Sequence, residues 1–382
     1  MVRKTMFIML SLCCIWITAV AEAASSSEKD AEDVIGYIQQ LFQDRTKFLI
    51  HPQEQATRHH YADSGSSRHA LRHEVERAAY IHAWAERRGV EFTHADSDVR
   101  VIRAKVRGNM ATASIVESLR LDYIYTHSVV RPQSFGIGTR HAITLTKEDG
   151  QWKVLREWYL DPLEENPKLI PESDDMMLRP QPQLKQPSND ADRPSAQSDT
   201  KRKPRYNRQK AVEYANKYAG AAWGAGNKHR YNPKYRDYTG LGGDCTNFAS
   251  QCIGDPQEGG GLKMRGGWHY FMFNGGSRTW VQTDAFKNFL LHGGYGKMIA
   301  KGKFSDIVKP SAKHPAGAIA KLQPGDLIGY DFNGDVDHFS VVVGFDDFGY
   351  PLVNSHTADR YRVPFDLGWD RNTNYLLIHI RD

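Results

Sequence analysis

Cysteine is scarce in this chain: its 382 residues hold four, and two of them, Cys13 and Cys14, fall in the first twenty positions. Cys245 and Cys252 remain, too few for a disulfide framework. Seven residues apart on one helix, they would stand about 10 Å apart along its axis, out of bridging range. Two thiols are also thin material for a zinc site. Long apolar runs are equally lacking. The one present, from Thr5 to Val20, follows Arg3 and Lys4 and precedes Ala21-Glu22-Ala23. That order predicts a secretory leader over 1–23 rather than a membrane anchor. Leu12 before Cys13 argues against a lipoprotein attachment site. No later run is long and apolar enough to span a membrane. Neither sign of charge dominates: the formal balance is +5, part of it in KRKPR at 201–205. This is no nucleic-acid footprint and argues only weakly for an anionic partner.

What is present divides into two domains and a linker. Val34, Ile35, Ile38, Leu41, Phe42, Phe48 and Leu49 recur at helical spacing, and a second helical stretch covers roughly 71–88. Alternating patterns then predict strands in VRVIRAKVRG, ATASIVESLRLDYIY, RHAITLTKEDG and QWKVLREWYL, with Asp149-Gly150 as a tight hairpin turn between the last two. Helices followed by a curved antiparallel sheet make residues 24–175 an α+β accessory domain that looks like the nuclear-transport-factor-like cone. His59, His60, His69 and His73 crowd this domain without a carboxylate at a diagnostic spacing, and read as surface histidines. Residues 176–205, rich in Pro, Gln and Ser, form a linker. The second domain, 206–382, opens with an amphipathic helix in NRQKAVEYANKYAGAAW and ends in strands: DLIGYDF, DHFSVVVGF, YPLVNSHT and NYLLIHI.

The chemistry gathers around GGDCTNFASQC, 242–252. Gly242-Gly243 permits backbone conformations closed to other residues and leads into a helix whose first turn carries Cys245. Free N–H groups and the positive helix end favour a thiolate there. Cys252, on the buried side, is the inert one. His338 begins the strand DHFSVVVGF just after a polar loop, which puts it at the rim of a sheet where a helix end can meet it. Asp347-Phe348-Gly349 fits a three-residue hairpin loop, pairing Asp346 with Tyr350. Continuing that register brings His338, Ser340, Asn354 and His356 to one side. Either Asn354 or His356 could then fix the His338 tautomer, with His356 the nearer.

The stretches YNRQKAVEYANKYA, GGDCTNFASQC, LQPGDLIGYDF, DHFSVVVGF and NSHT together resemble the bacterial "Putative amidase domain" family, over about 206–360. That family is a papain-like cysteine-hydrolase group related to the NlpC/P60 and CHAP cell-wall enzymes. The resemblance implies a papain-like α+β domain with Cys245 as nucleophile, His338 as base and Asn354 or His356 as the third residue. Asp244 matches the aspartate that precedes the family's nucleophile.

The expected activity is an amidase or peptidase acting by acyl transfer, with the oxyanion held by the Cys245 N–H and a side chain among Tyr238, Thr239 and Asp244. No cofactor or metal is expected. Export and the wall enzymes among the relatives point to peptidoglycan or its peptides as substrate, and to a secreted, extracellular or wall-associated protein. A non-wall peptide substrate, an acyltransferase, or a non-enzymatic wall-binding module are the alternatives. The aromatics from Trp268 to Phe273, and Trp280, either line a cleft or fill a core.

Overall fold

The computed structural model describes residues 29–127, 131–163, 165–172 and 205–382. The expected leader lies outside these residues, as does the linker apart from Arg205. The chain forms two compact units. Residues up to Glu74, Val99–Val116 and Arg140–Tyr159 make the first; Val75–Asp98, Glu117–Thr139 and Leu160–Asp382 make the second.

In the first unit, helix α1 (29–50) buries Val34, Ile38, Leu41 and Phe42, one stripe at helical period. Short helix α2 (Glu54–Arg58) and the start of α3 (Gly65–Arg88) follow. Strands β1 (Val90–Arg107), β2 (Met110–Tyr125) and β3 (Gln133–Glu148) run on into the second unit, whereas β4 (Gln151–Tyr159) belongs wholly to the first. β4 pairs antiparallel with β3 from Glu148–Gln151 to His141–Tyr159, which makes Asp149-Gly150 the two-residue turn its sequence predicts. Inward residues alternate along these strands: Ala113 and Ile115, Ile143 and Leu145, Trp152 and Val154 are all buried. One buried charge cluster crosses this core. Arg45, 4% exposed, donates to Glu157 and to the Tyr61 hydroxyl, and Glu157 also meets His141 Nδ1 at 2.8 Å.

In the second unit, α4 (Arg208–Lys217) starts at Asn207, whose side chain accepts the Lys210 N–H at 3.0 Å. Helix α5 (Cys245–Gly254) is buried along its whole length. A small hairpin, β5 (Tyr270–Phe271) and β6 (Gly275–Gly276), precedes α6 (Arg278–Val281) and α7 (Thr283–His292). Then come β7 (Gly296–Gly302), α8 (Phe304–Val308), β8 (Leu327–Phe332), β9 (Asp335–Phe345), β10 (Pro351–Ser355), β11 (Asp359–Pro364) and β12 (Asn374–Ile380). Phe339, Val341 and Val343 of β9 pack with Phe248, Ala249 and Cys252 of α5 in one apolar cluster. Val342, Ile328 and Tyr330 belong to another, with Phe365 and Tyr375. Alternation along each strand thus sends successive side chains into different cores. Fully burying a side chain such as Phe248 stabilises by about 1.5–3 kcal/mol, so α5 is a fixed platform.

The α+β composition agrees with the sequence, but the expected cone is corrected. Strands run in the order β1-β2-β3-β11-β10-β9-β8-β12-β7, with β4 on β3, and no sheet closes or curls into a cone. The physical reason lies at β3. Its residues Gly136–Gly138 pair with Tyr361–Asp359 of β11, so the sheet continues sideways instead of folding over its own helices. Glycine is required at both ends of that short pairing. A Cβ on Gly136 would lie 2.0 Å from the Trp223 carbonyl oxygen, and one on Gly138 would lie 2.5 Å from Ala221 backbone. Among the described residues no helix is long and apolar enough to cross a membrane.

Candidate functional site

Cys245 is the first residue of α5, and the two glycines before Asp244 take left-handed conformations, φ 107° and 132°. They turn the chain sharply into the helix. The sulfur lies 3.8 Å from Thr246 Oγ1 and 4.0 Å from the carbonyl oxygen of Asp337. The Phe339 N–H also reaches it. Cys245 therefore sits against the backbone on both sides of His338. This edge of β9 is open to it because β10 makes its last pair with β9 at Asn354–Val341.

Both groups are buried, Cys245 at 6% and His338 at 5% exposure. Burial pushes the thiol upward, against the pull of the Phe339 N–H and the Thr246 hydroxyl. Burial, with the charges of Arg360 and His356, holds His338 well below the ordinary imidazole value. Burial thus shifts both groups toward their neutral forms. His338 packs near Tyr330 and Trp369, with centroids at 5.7 and 5.5 Å, and its Nε2 is buried without a hydrogen-bond partner.

The expected register holds at first: Asp346 meets Tyr350, Pro351 pairs with Phe345 and Leu352 with Gly344. A bulge between Leu352 and Val353 then shifts it by one, so Val353 faces Val342 and Asn354 faces Val341. A one-residue shift exchanges the faces of the strand, and Asn354 does not join His338. Its Nδ2 donates to Asn216 Oδ1 at 2.9 Å, and its Oδ1 accepts the Arg362 N–H at 2.6 Å.

His356 is engaged as fully. Its Nδ1 lies 2.6 Å from Asp244 Oδ2 and its Nε2 lies 2.6 Å from the Tyr218 carbonyl oxygen. Its ring stacks between Tyr231 and Phe248 at 3.7 and 4.0 Å. The carbonyl only accepts, so Nε2 donates to it. Asp244 completes the junction: its Oδ1 accepts from the Tyr238 N–H and from Asn247 Nδ2, and its own N–H donates to Thr357 Oγ1. Among the described residues neither Asn354 nor His356 hydrogen-bonds to His338.

Of the three oxyanion candidates, Asp244 is committed to this junction. The Tyr238 hydroxyl accepts the Gly276 N–H at 2.9 Å, and Thr239 Oγ1 is buried without a partner. The aromatic stretch splits: Trp268 and Trp280 are core, whereas Phe271, Met272 and Phe273 are exposed. Arg360 was not singled out by sequence. It is buried on β11, its Nε lacks a partner, and its guanidinium lies 5.4 Å from the Trp369 ring. Nothing in DRYRVP distinguishes it from a solvated strand arginine. Far from this site in sequence, Asp44, His59 and His60 bring ligand atoms within 4.8 Å of one another and could hold a metal ion. Asp44 already accepts from Gln40 and Lys47 and meets His60 Nε2 at 3.1 Å.

Residues 205–378 match the model of the family described as "Putative amidase domain". The chain is also similar to the "Uncharacterized protein YhbB" of Bacillus subtilis (strain 168), 31% identical over 189 residues, which is 46% of this chain. The chain spans about half of that relative's length, 51%. Among solved structures, similarity is found to Rv3472, a function unknown protein from Mycobacterium tuberculosis, at 19% identity and a TM-score of 0.24, covering 33% of this chain and 69% of that one. An NTF2-like protein of unknown function from Shewanella baltica follows at 11% and 0.19, covering 33% and 90%. At such scores these likenesses carry no argument.

Proposed function

We propose that this chain is a cysteine hydrolase that cleaves amide bonds, with Cys245 as nucleophile and His338 as base. One observation carries the reading: a thiol at a helix start lies against the backbone flanking a buried histidine whose Nε2 has no partner. The amidase-family match over the same residues supports it. Burial shifts both thiol and imidazole toward their neutral forms, so in this scheme the proton moves as the bond forms. His338 takes it while Cys245 Sγ attacks the carbonyl carbon. The Cys245 N–H at the start of α5 serves the developing oxyanion. His338 then protonates the leaving amine, and water, deprotonated by His338, releases the acyl group and restores the thiol. In this scheme His356 and Asn354 are positioning residues. His356 holds the start of α5 through Asp244, and Asn354 ties β10 to α4 and β11.

The substrate we propose is a peptide or amide bond of peptidoglycan, met after export, in keeping with the expected leader and the amidase match. Purified peptidoglycan digested with the full chain should release fragments resolvable by mass spectrometry. Intact stem peptides with a free L-alanine amine mean an amidase, truncated muropeptides an endopeptidase. Cys245→Ala should abolish release, and brief iodoacetamide treatment should label Cys245 ahead of Cys252. Cleavage surviving Cys245→Ala would refute the mechanism. Cleavage of a generic peptide but not of the wall polymer would refute the substrate.

A further inference from the structure

The first unit carries a groove of about 510 Å³ on the sheet formed by β1 to β4, within the size range of small-ligand sites. Its construction follows from strand alternation. Ala113, Ile143 and Val154 turn into the core, so their neighbours turn out. The two middle strands give a floor of small side chains, with hydroxyls from Thr112, Ser114 and Thr144. The flanking strands give the walls: Arg103 and Lys105 from β1, Arg156 and Trp158 from β4. Register fixes the second wall, since Trp158 stands opposite Ala142 and Arg156 opposite Thr144. No carboxylate lines the groove, and none of the three cations has an ion-pair partner among the described residues. Trp158 is 69% exposed, the only tryptophan among the large exposed apolar side chains of the described residues.

We propose that this groove binds an acidic polysaccharide. The flat indole is suited to the apolar face of a sugar ring, the hydroxyl-bearing floor to ring hydroxyls, and the cationic walls to carboxylate or phosphate substituents. A nucleic acid is served less well: single-strand binding relies on several stacking platforms along a basic track, and here one ring stands among three cations. This site is separate in residues and in chemistry from Cys245, so its test is independent of the hydrolase reading.

Titrating the full chain with polygalacturonate, neutral dextran and oligothymidylate, read by tryptophan fluorescence and equilibrium dialysis, tests the proposal. Polygalacturonate should bind, more weakly as salt rises, and should change the fluorescence. Trp158→Ala should remove the fluorescence change and weaken binding about tenfold, the scale of one lost stacking contact. Arg156→Gln should weaken binding and lower the salt dependence without disturbing the indole, and Cys245→Ala should bind as the parent does. Failure of polygalacturonate to bind, binding indifferent to both groove variants, or equal binding of dextran would overturn the proposal. Tighter binding of oligothymidylate through the same residues would replace it with a nucleic-acid site.

Discussion

Burial holds His338 well below the ordinary imidazole value, and this shapes the response to acid. Unfolded, its imidazole has the ordinary value of 6.5; folded, it lies well below. Between those values the unfolded chain binds a proton that the folded chain excludes. Stability therefore falls as pH drops through that window, by about 1.4 kcal/mol per pH unit for one site, and the loss ends below the folded value. His60, also lowered by burial, adds to the same slope. His338→Gln should flatten it: urea unfolding at pH 6.5 and about one unit lower should differ less in the variant than in the parent. Identical pH slopes would show that burial does not lower His338 as described. The placement of Cys245 at a helix start was legible, because a glycine pair before an aspartate is local information. The surroundings of its sulfur were not, since they include the Asp337 carbonyl and the Phe339 N–H, more than ninety positions away. Arg360 was hidden for the same reason.

Helix α5 and the end of β10 are joined by the Asp244–His356 pair, each side chain 1% exposed. Removing one partner of such a pair leaves a buried polar or charged group uncompensated, at a cost of about 3–5 kcal/mol. His356→Phe and Asp244→Asn should each lower stability on that scale in urea unfolding. The double variant should lose less than the sum of the two, because each single change already breaks the pair. Additive losses would mean that the two residues act separately. The proposed hydrolysis should fall in both single variants as the start of α5 shifts. Two hairpins were legible at this scale. Asp149-Gly150 and Asp347-Phe348-Gly349 contain their own turn chemistry, and both turns form where the residues indicate. The bulge at Leu352/Val353 was not, because no residue there marks it. That single extra residue separates Asn354 from the face that a continued register would have given it.

The path of the sheet depends on contacts far apart in the chain. Gly138 pairs with Asp359, and no local pattern reports a partner at that distance, which is why helices followed by strands suggested a closed cone. Individual strands were legible from alternation; their order was not. An open path has consequences for how copies of the molecule meet. The path ends in two rims, β1 and β7, with β4 a third edge that His60 and Ala62 partly cover, and a rim with unsatisfied backbone groups is a template on which a further strand can grow. The sequence places Lys297 and Lys301, and no acidic residue, in β7, whereas β1 mixes Glu91, Asp96 and Asp98 with Arg100, Arg103, Lys105 and Arg107. The lysines of β7 repel a second copy of the same rim, so charge does for this edge of the open sheet what closure does for a barrel. Lys297 is exposed, whereas Lys301 is held 2.6 Å from Asp331. Lys297→Val should therefore leave unfolding in urea within about 0.5 kcal/mol of the parent, yet raise light scattering as protein concentration increases. Unchanged scattering would mean that colloidal stability has another source; the expected rise would show that the charge on this rim is what keeps one copy from extending the next.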